Sequence, residues 1–164
     1  MAHDDLNKEM ALGAMQRVCS GRELCVTDAL RRLRKYSISQ DDLSWVVESL
    51  LKDGFVDESR YAKAFVRDKV LLSGWGVKKI IWALKNKGID KLVIDEAIKE
   101  ITLSEEPVRL EAILKNKLKS YRKTDNAKQL NNKMVRFALS RGFSLDISLS
   151  VVNKLLSNFA QENE

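Results

Sequence analysis

The sequence predicts an all-α protein built as an array of three tandem three-helix repeats. Three observations carry that expectation. The 164 residues hold one proline and seven glycines, too few breakers for a many-turned β fold. Apolar residues recur at helical spacing, and no strand-like alternation competes with them. Finally, the apolar register repeats. Met10, Ala14, Met15, Cys19, Leu30, Leu33, Ile38, Leu43, Val46, Val47 and Leu50 fall, 51 residues on, over Tyr61, Phe65, Val66, Val70, Ile81, Leu84, Ile89, Ile94, Ala97, Ile98 and Ile101. A weaker third copy follows. Leu110, Ile113, Leu114 and Leu118 stand 48 residues beyond the first helix of the second copy, and Val135, Ala138, Gly142, Phe143, Val151, Val152 and Leu155 stand 54 beyond its remainder. Self-similarity of this period marks an array of like units. The repeats are expected at 1–56, 57–104 and 105–164.

The first helix carries the stripe Leu6, Met10, Ala14, Met15 and Val18 and stops at Gly21. A short second helix, about 27–36, carries Leu30 and Leu33. Ser39 is placed to cap the third, with Asp41 and Asp42 complementing the helix dipole and Gly54 closing it. In the second repeat Asp57 is the expected cap of a helix bearing Tyr61, Phe65 and Leu72, which runs to the breaker Ser73-Gly74-Trp75-Gly76. A short helix with Ile80, Ile81 and Leu84 ends at Gly88 in a left-handed cap, and Asp90 caps a helix with Ile94, Ala97, Ile98 and Ile101. The third repeat opens at Pro107, tolerated in a first turn, with Leu110, Ile113, Leu114 and Tyr121 on its first helix. That helix fades in the polar stretch 122–128. Leu130, Met134, Phe137 and Ala138 mark the next helix, and Ile147, Val151, Val152, Leu155 and Phe159 mark the last. Residues 1–4 and 161–164 are expected to fray.

A hydrophobic content of 45% can fill a core, and a net charge of +6 points to a polyanion or an acidic protein surface as partner. Charge is sorted by helix. Net charge is +4 over 16–36 and −4 over 37–60, then +6 over 63–91 and −4 over 92–106, and +8 over 109–141. If the repeats stack in register, their basic helices line one surface fit for phosphates. The alternative is that these are solvated faces offsetting neighbouring acidic helices. Charge and repeat position select Arg31, Arg32, Lys35, Lys63, Arg67, Lys78, Lys79, Lys85 and Lys87 as electrostatic contacts.

Catalysis finds little support. The single histidine, His3, lies in an expected mobile terminus, and Gly74-Trp75-Gly76 lacks the preceding strand of a phosphate loop. The pairs Asp41/Asp42 and Glu105/Glu106 sit at or just before helix starts, where the dipole accounts for them. Cys19 and Cys25 match neither a zinc spacing nor a disulfide framework, and Cys19 reads as a small buried hydrophobe. Trp45 reads as partly buried packing. Trp75 and Trp82 are expected to be exposed, with ordinary packing as the favoured reading and base stacking or partner anchoring as the alternative. No enzyme activity, metal or cofactor is expected. With no signal peptide and no run of about 18 apolar residues, the chain should be cytosolic and untethered to membrane; a monomer is expected.

The stretch Gly54-Phe55-Val56-Asp57-Glu58-Ser59-Arg60-Tyr61-Ala62-Lys63-Ala64-Phe65-Val66-Arg67 resembles the signature of the RecX family, regulators of the bacterial RecA recombinase. The continuation Gly76-Val77-Lys78-Lys79-Ile80-Ile81-Trp82-Ala83-Leu84-Lys85-Asn86-Lys87-Gly88-Ile89 is similar to the family's next element. The likeness covers about 54–101, with a degenerate upstream copy from Arg22 to Ile38. It departs at Val26, where the family often has a capping serine, so that Thr27 is expected to cap that helix, and at Tyr36-Ser37, which replace lysine-glycine. The resemblance implies three tandem three-helix repeats forming an elongated, curved helical array, binding to the RecA filament on single-stranded DNA, and inhibition of RecA ATPase, coprotease and strand-exchange activities. It supports Arg67, Lys78, Lys79 and Lys87 most directly. Two other readings compete. One is a helix-turn-helix-like transcription regulator, whose recognition helix, 39–53 or 90–103, would be acidic and repelled by a major groove. The other is a helical-repeat scaffold with no DNA contact.

Overall fold

The computed structural model describes residues 2–101, 105–120 and 126–161, with side chains from residue 7 to residue 158. The side chains of His3, Leu6 and Phe159, and the whole of Tyr121 and of 162–164, lie outside what is described. Among the described residues there are nine helices and no strand: α1 (Ala2–Gly21), α2 (Val26–Leu33), α3 (Gln40–Lys52), α4 (Glu58–Leu71), α5 (Val77–Asn86), α6 (Lys91–Ile98), α7 (Glu106–Leu118), α8 (Ala127–Ser140) and α9 (Leu145–Gln161). They pack as two compact units, 1–65 with 84–97 and 66–83 with 98–164.

In the first unit α1, α2 and α3 pack pairwise around Ala11, Met15, Leu24, Ala29, Leu33, Val46, Val47, Leu50 and Val56. In the second, α7, α8 and α9 enclose Leu110, Leu114, Met134, Ala138, Phe143, Val151, Val152 and Leu155. The buried positions follow the repeat. Leu33, Leu84 and Ala138 are equivalent and buried, as are Val46, Ala97 and Val151, and Leu50, Ile101 and Leu155. Full burial of each large aliphatic contributes about 1.5–3 kcal/mol, which is why this register survives where surface positions drift.

Three of the predicted N-terminal caps form. Ser39 Oγ accepts from the Asp42 N–H at 3.1 Å, Asp57 Oδ1 accepts from the Arg60 N–H at 2.9 Å, and Asp90 Oδ1 accepts from the Leu92 N–H at 2.8 Å. Gly88 closes α5 at φ +77. Pro107 stands in the first turn of α7.

Four expectations fail. Met10 is 61% exposed while its neighbour Ala11 is fully buried, so the core face of α1 runs through Ala11 and Met15. The equivalent Tyr61 is 8% exposed because it packs against Asp28 of the first repeat, a partner Met10 has no counterpart of among the described residues. Thr27 does not cap α2. Cys25 holds the N-cap position with no side-chain bond to a backbone N–H of the first turn, and Thr27 Oγ1 instead donates to the Lys87 carbonyl at 2.6 Å. Trp75 is half-buried rather than exposed. And α8 begins at Ala127, inside the stretch read as polar linker, because Asn126 caps it by accepting from the Lys128 N–H at 2.9 Å.

Candidate nucleic-acid and partner interface

The basic stretch 16–36 contains two acids, Glu23 and Asp28, and both are held by bases of the second repeat. Asp28 lies on α2, 7% exposed. Its Oδ1 accepts from Lys87 Nζ at 2.6 Å and Arg31 Nη2 at 2.8 Å, while Oδ2 accepts from the Cys25 thiol and the Tyr61 hydroxyl, each at 3.4 Å. Burial pushes the Asp28 carboxyl upward, but the bonds from Lys87 and Cys25 and the charges of Lys87 and Arg31 outweigh it and hold the group below its ordinary value. Burial pushes the Cys25 thiol and the Tyr61 phenol up, so both stay protonated donors. Glu23 Oε1 accepts from Arg60 Nε at 2.6 Å, and the Arg60 guanidinium also donates to the Gly54 carbonyl at 3.0 Å.

This arrangement separates the candidate bases of the first unit. Lys87 is a structural partner of Asp28 and half-buried. Arg31 touches Asp28 yet keeps most of its side chain in solvent. Arg32 is half-buried, and its Nε has no hydrogen-bond partner. Lys63 is half-buried as well. Lys35, stacked over the Tyr36 ring at 5.2 Å, and Lys85 are exposed. Of the sequence-selected cations in this unit, Arg31, Lys35 and Lys85 are therefore the ones open to a polyanion, with Arg17, Arg22 and Arg34 exposed as well.

In the second unit the N-terminus of α5 is occupied by the chain itself. The Gly76 N–H donates to the Arg141 carbonyl at 2.8 Å, the Val77 N–H to Glu106 Oε1 at 3.0 Å, and the Lys78 N–H to the Gly142 carbonyl at 3.2 Å. Those donors are the ones a phosphate would need, so Gly74-Trp75-Gly76 is a docking turn. A Cβ on Gly76 would lie 2.5 Å from the Gly142 carbonyl, so only glycine lets the two backbones meet. Lys79 Nζ donates to the Ser140 carbonyl at 3.0 Å and covers the Trp75 ring at 4.6 Å, with Lys69 on the same ring at 5.0 Å. Lys79 thus stabilises this junction, while Lys78 and Arg67 point to solvent as exposed cations. Arg67 lines a shallow groove of about 190 Å³ with Arg109, Glu100 and Glu105.

The junctions in the two units are equivalent in register. Thr27, whose hydroxyl donates to the Lys87 carbonyl, stands 51 residues before Lys78, whose N–H donates to the Gly142 carbonyl one residue beyond the position equivalent to Lys87. Asp28 and Glu106, the two charged residues buried at these junctions, escaped sequence reading. The available signal was an acid standing alone among the bases of α2, and an acid beside Pro107 that the dipole seemed to explain. Of the tryptophans, Trp82 is the most exposed at 65%, and Trp45 is partly covered by Lys8 at 5.3 Å. Among the described residues no group of three or more His, Cys, Asp or Glu could hold a metal ion, and no helix is long and apolar enough to cross a membrane.

Recurrent three-helix packing with junctions at matching register defines a helical-repeat protein. A family profile described as "RecX, second three-helix domain" matches residues 57–98. The regulatory protein RecX of Clostridium beijerinckii is 31% identical over 152 residues, covering 92% of this chain and 68% of the relative. The chain belongs to the RecX family of regulatory proteins. RecX of Clostridium botulinum Eklund 17B is 33% identical over 127 residues, 77% of this chain and 59% of the relative. The chain spans about three fifths of the length of several curated relatives it matches. The crystal structure of RecX from Lactobacillus salivarius shares the fold, with a TM-score of 0.76 at 23% identity, covering 94% of this chain and 98% of that one.

Proposed function

We propose that this protein binds the RecA filament on single-stranded DNA and lowers RecA's ATPase, coprotease and strand-exchange activities, acting as a cytoplasmic monomer without a cofactor. The reading joins membership of a regulatory family to the chemistry of the exposed cations. The observation that carries it is that Arg31, Lys35 and Lys85 in one unit, and Arg67 and Lys78 in the other, remain in solvent after the internal ion pairs are made. Cations that stay in solvent, Arg31 with its pairing to Asp28 included, are available to phosphates, and their attraction is salt-dependent. The three repeats expected at 1–56, 57–104 and 105–164 would present such cations periodically to a periodic filament. Acidic α3, with Asp41, Asp42 and Glu48, speaks against major-groove readout by that helix.

The test is RecA ATP hydrolysis on single-stranded DNA, with this protein added from substoichiometric to equimolar amounts. A dose-dependent fall is expected. Unchanged hydrolysis with a folded protein refutes the proposal, and discrete footprints on genomic duplex would favour a transcription regulator.

A further inference from the structure

The end of α4 carries two leucines that the repeat does not require. Leu71 is 75% exposed and Leu72 82%, yet the equivalent positions are Ser20 and Gly21 in the first repeat and Lys119 and Ser120 in the third. Beside them lies a cleft of about 400 Å³, also lined by Ile113, Phe137, Lys117 and Arg141. Its apolar wall and its cations are built together. Lys117 Nζ stands 5.4 Å from the centre of the Phe137 ring and the Arg141 guanidinium 5.0 Å from it. Arg141 is fixed there because its Nη1 donates to the Ser73 carbonyl at 2.7 Å. None of the described lining residues is acidic.

We infer that this cleft docks a protein partner through an acidic peptide segment bearing aliphatic side chains. Exposed leucines favour desolvation by an apolar anchor, and cations on the rim favour carboxylates flanking it. A nucleic acid fits the site less well. Aliphatic side chains offer no face for base stacking, and the one ring, Phe137, is already engaged by two cations. The inference gives the protein–protein half of the proposed function a place, and rests on that function only for the partner's identity.

The test uses the full chain and a short fluorescein-labelled peptide of alternating Leu and Glu, followed by anisotropy. Leu71→Ser combined with Leu72→Ser alters only exposed side chains and restores the polar character of the other repeats. Binding should weaken by about tenfold or more in this double variant, the scale expected from two leucines losing their buried contact. A peptide with Lys in place of Glu should not bind. Equal binding by the double variant, no binding by the wild-type chain, or stoichiometric displacement of the peptide by single-stranded DNA would each overturn the inference. Filament binding is measured in parallel. A wild-type chain that takes the peptide but not the filament refutes the RecA reading alone and leaves the cleft standing.

Discussion

The ammonium of Lys87 donates to Asp28 Oδ1 at 2.6 Å across 59 residues of sequence, joining the end of α5 to the start of α2. The same carboxylate holds Arg31, Cys25 and Tyr61, so it is the node of the first unit. Asp28→Asn removes the charge and keeps the volume, leaving half-buried Lys87 without its counter-ion. We expect a loss of about 1–3 kcal/mol, read as a lower urea midpoint with an unchanged slope. A midpoint equal to wild type would show that the node contributes nothing net.

The same carboxylate sets an acid limit. Its folded-state ionisation lies below the ordinary value of 3.8, so the unfolded chain takes up its proton first as pH falls. The stability it supplies is therefore fully present above pH about 4 and declines as pH falls through the folded value. Thermal melts from pH 6 down to pH 3 should show a steeper loss for wild type than for Asp28→Asn. Parallel curves would contradict this.

At the other junction the limiting contact is between backbones. Gly76→Ala sets a methyl 2.5 Å from the Gly142 carbonyl, and neither backbone can withdraw without breaking the bonds to Arg141 and Gly142. A loss of about 1–3 kcal/mol is expected from such overpacking. Gly21→Ala is the control. No atom lies within 4 Å of its added methyl, and a loss there as large as at Gly76 would refute the steric account.

What the sequence made legible was what repetition enforces. Burial at Leu33, Leu84 and Ala138 follows a period, and so do the caps at Ser39 and Asp90. Positions where one repeat meets the next obey a different rule, since they depend on a neighbour absent from the local pattern. Thr27 looked like a cap because Ser and Thr commonly are, yet a carbonyl from the second repeat competes for its hydroxyl. Met10 and Tyr61 share a register position, yet Met10 is exposed while Tyr61 is covered through Asp28 of the first repeat. The basic candidates divided for the same reason. Charge counting cannot tell Lys87, held by a buried carboxylate, from Lys85 two residues earlier in solvent.

That division yields a prediction on the interface itself. Lys78 and Lys85 are exposed and Lys87 is half-buried, so charge reversal should separate binding from folding. Lys78→Glu with Lys85→Glu should leave the urea midpoint within about 0.5 kcal/mol of wild type, as surface changes usually do. It should weaken binding to single-stranded DNA or its RecA filament, and flatten the log–log salt dependence by about 0.7 for each phosphate contact removed. Lys87→Glu should instead set two carboxylates against each other around Asp28 and lower stability before any binding is measured. Equilibrium binding from 50 to 200 mM salt, paired with urea titrations of the same variants, gives both readouts. If the double variant bound with the wild-type salt slope, Lys78 and Lys85 would be solvated charges, and the polyanion surface would have to be sought among Arg31, Lys35 and Arg67.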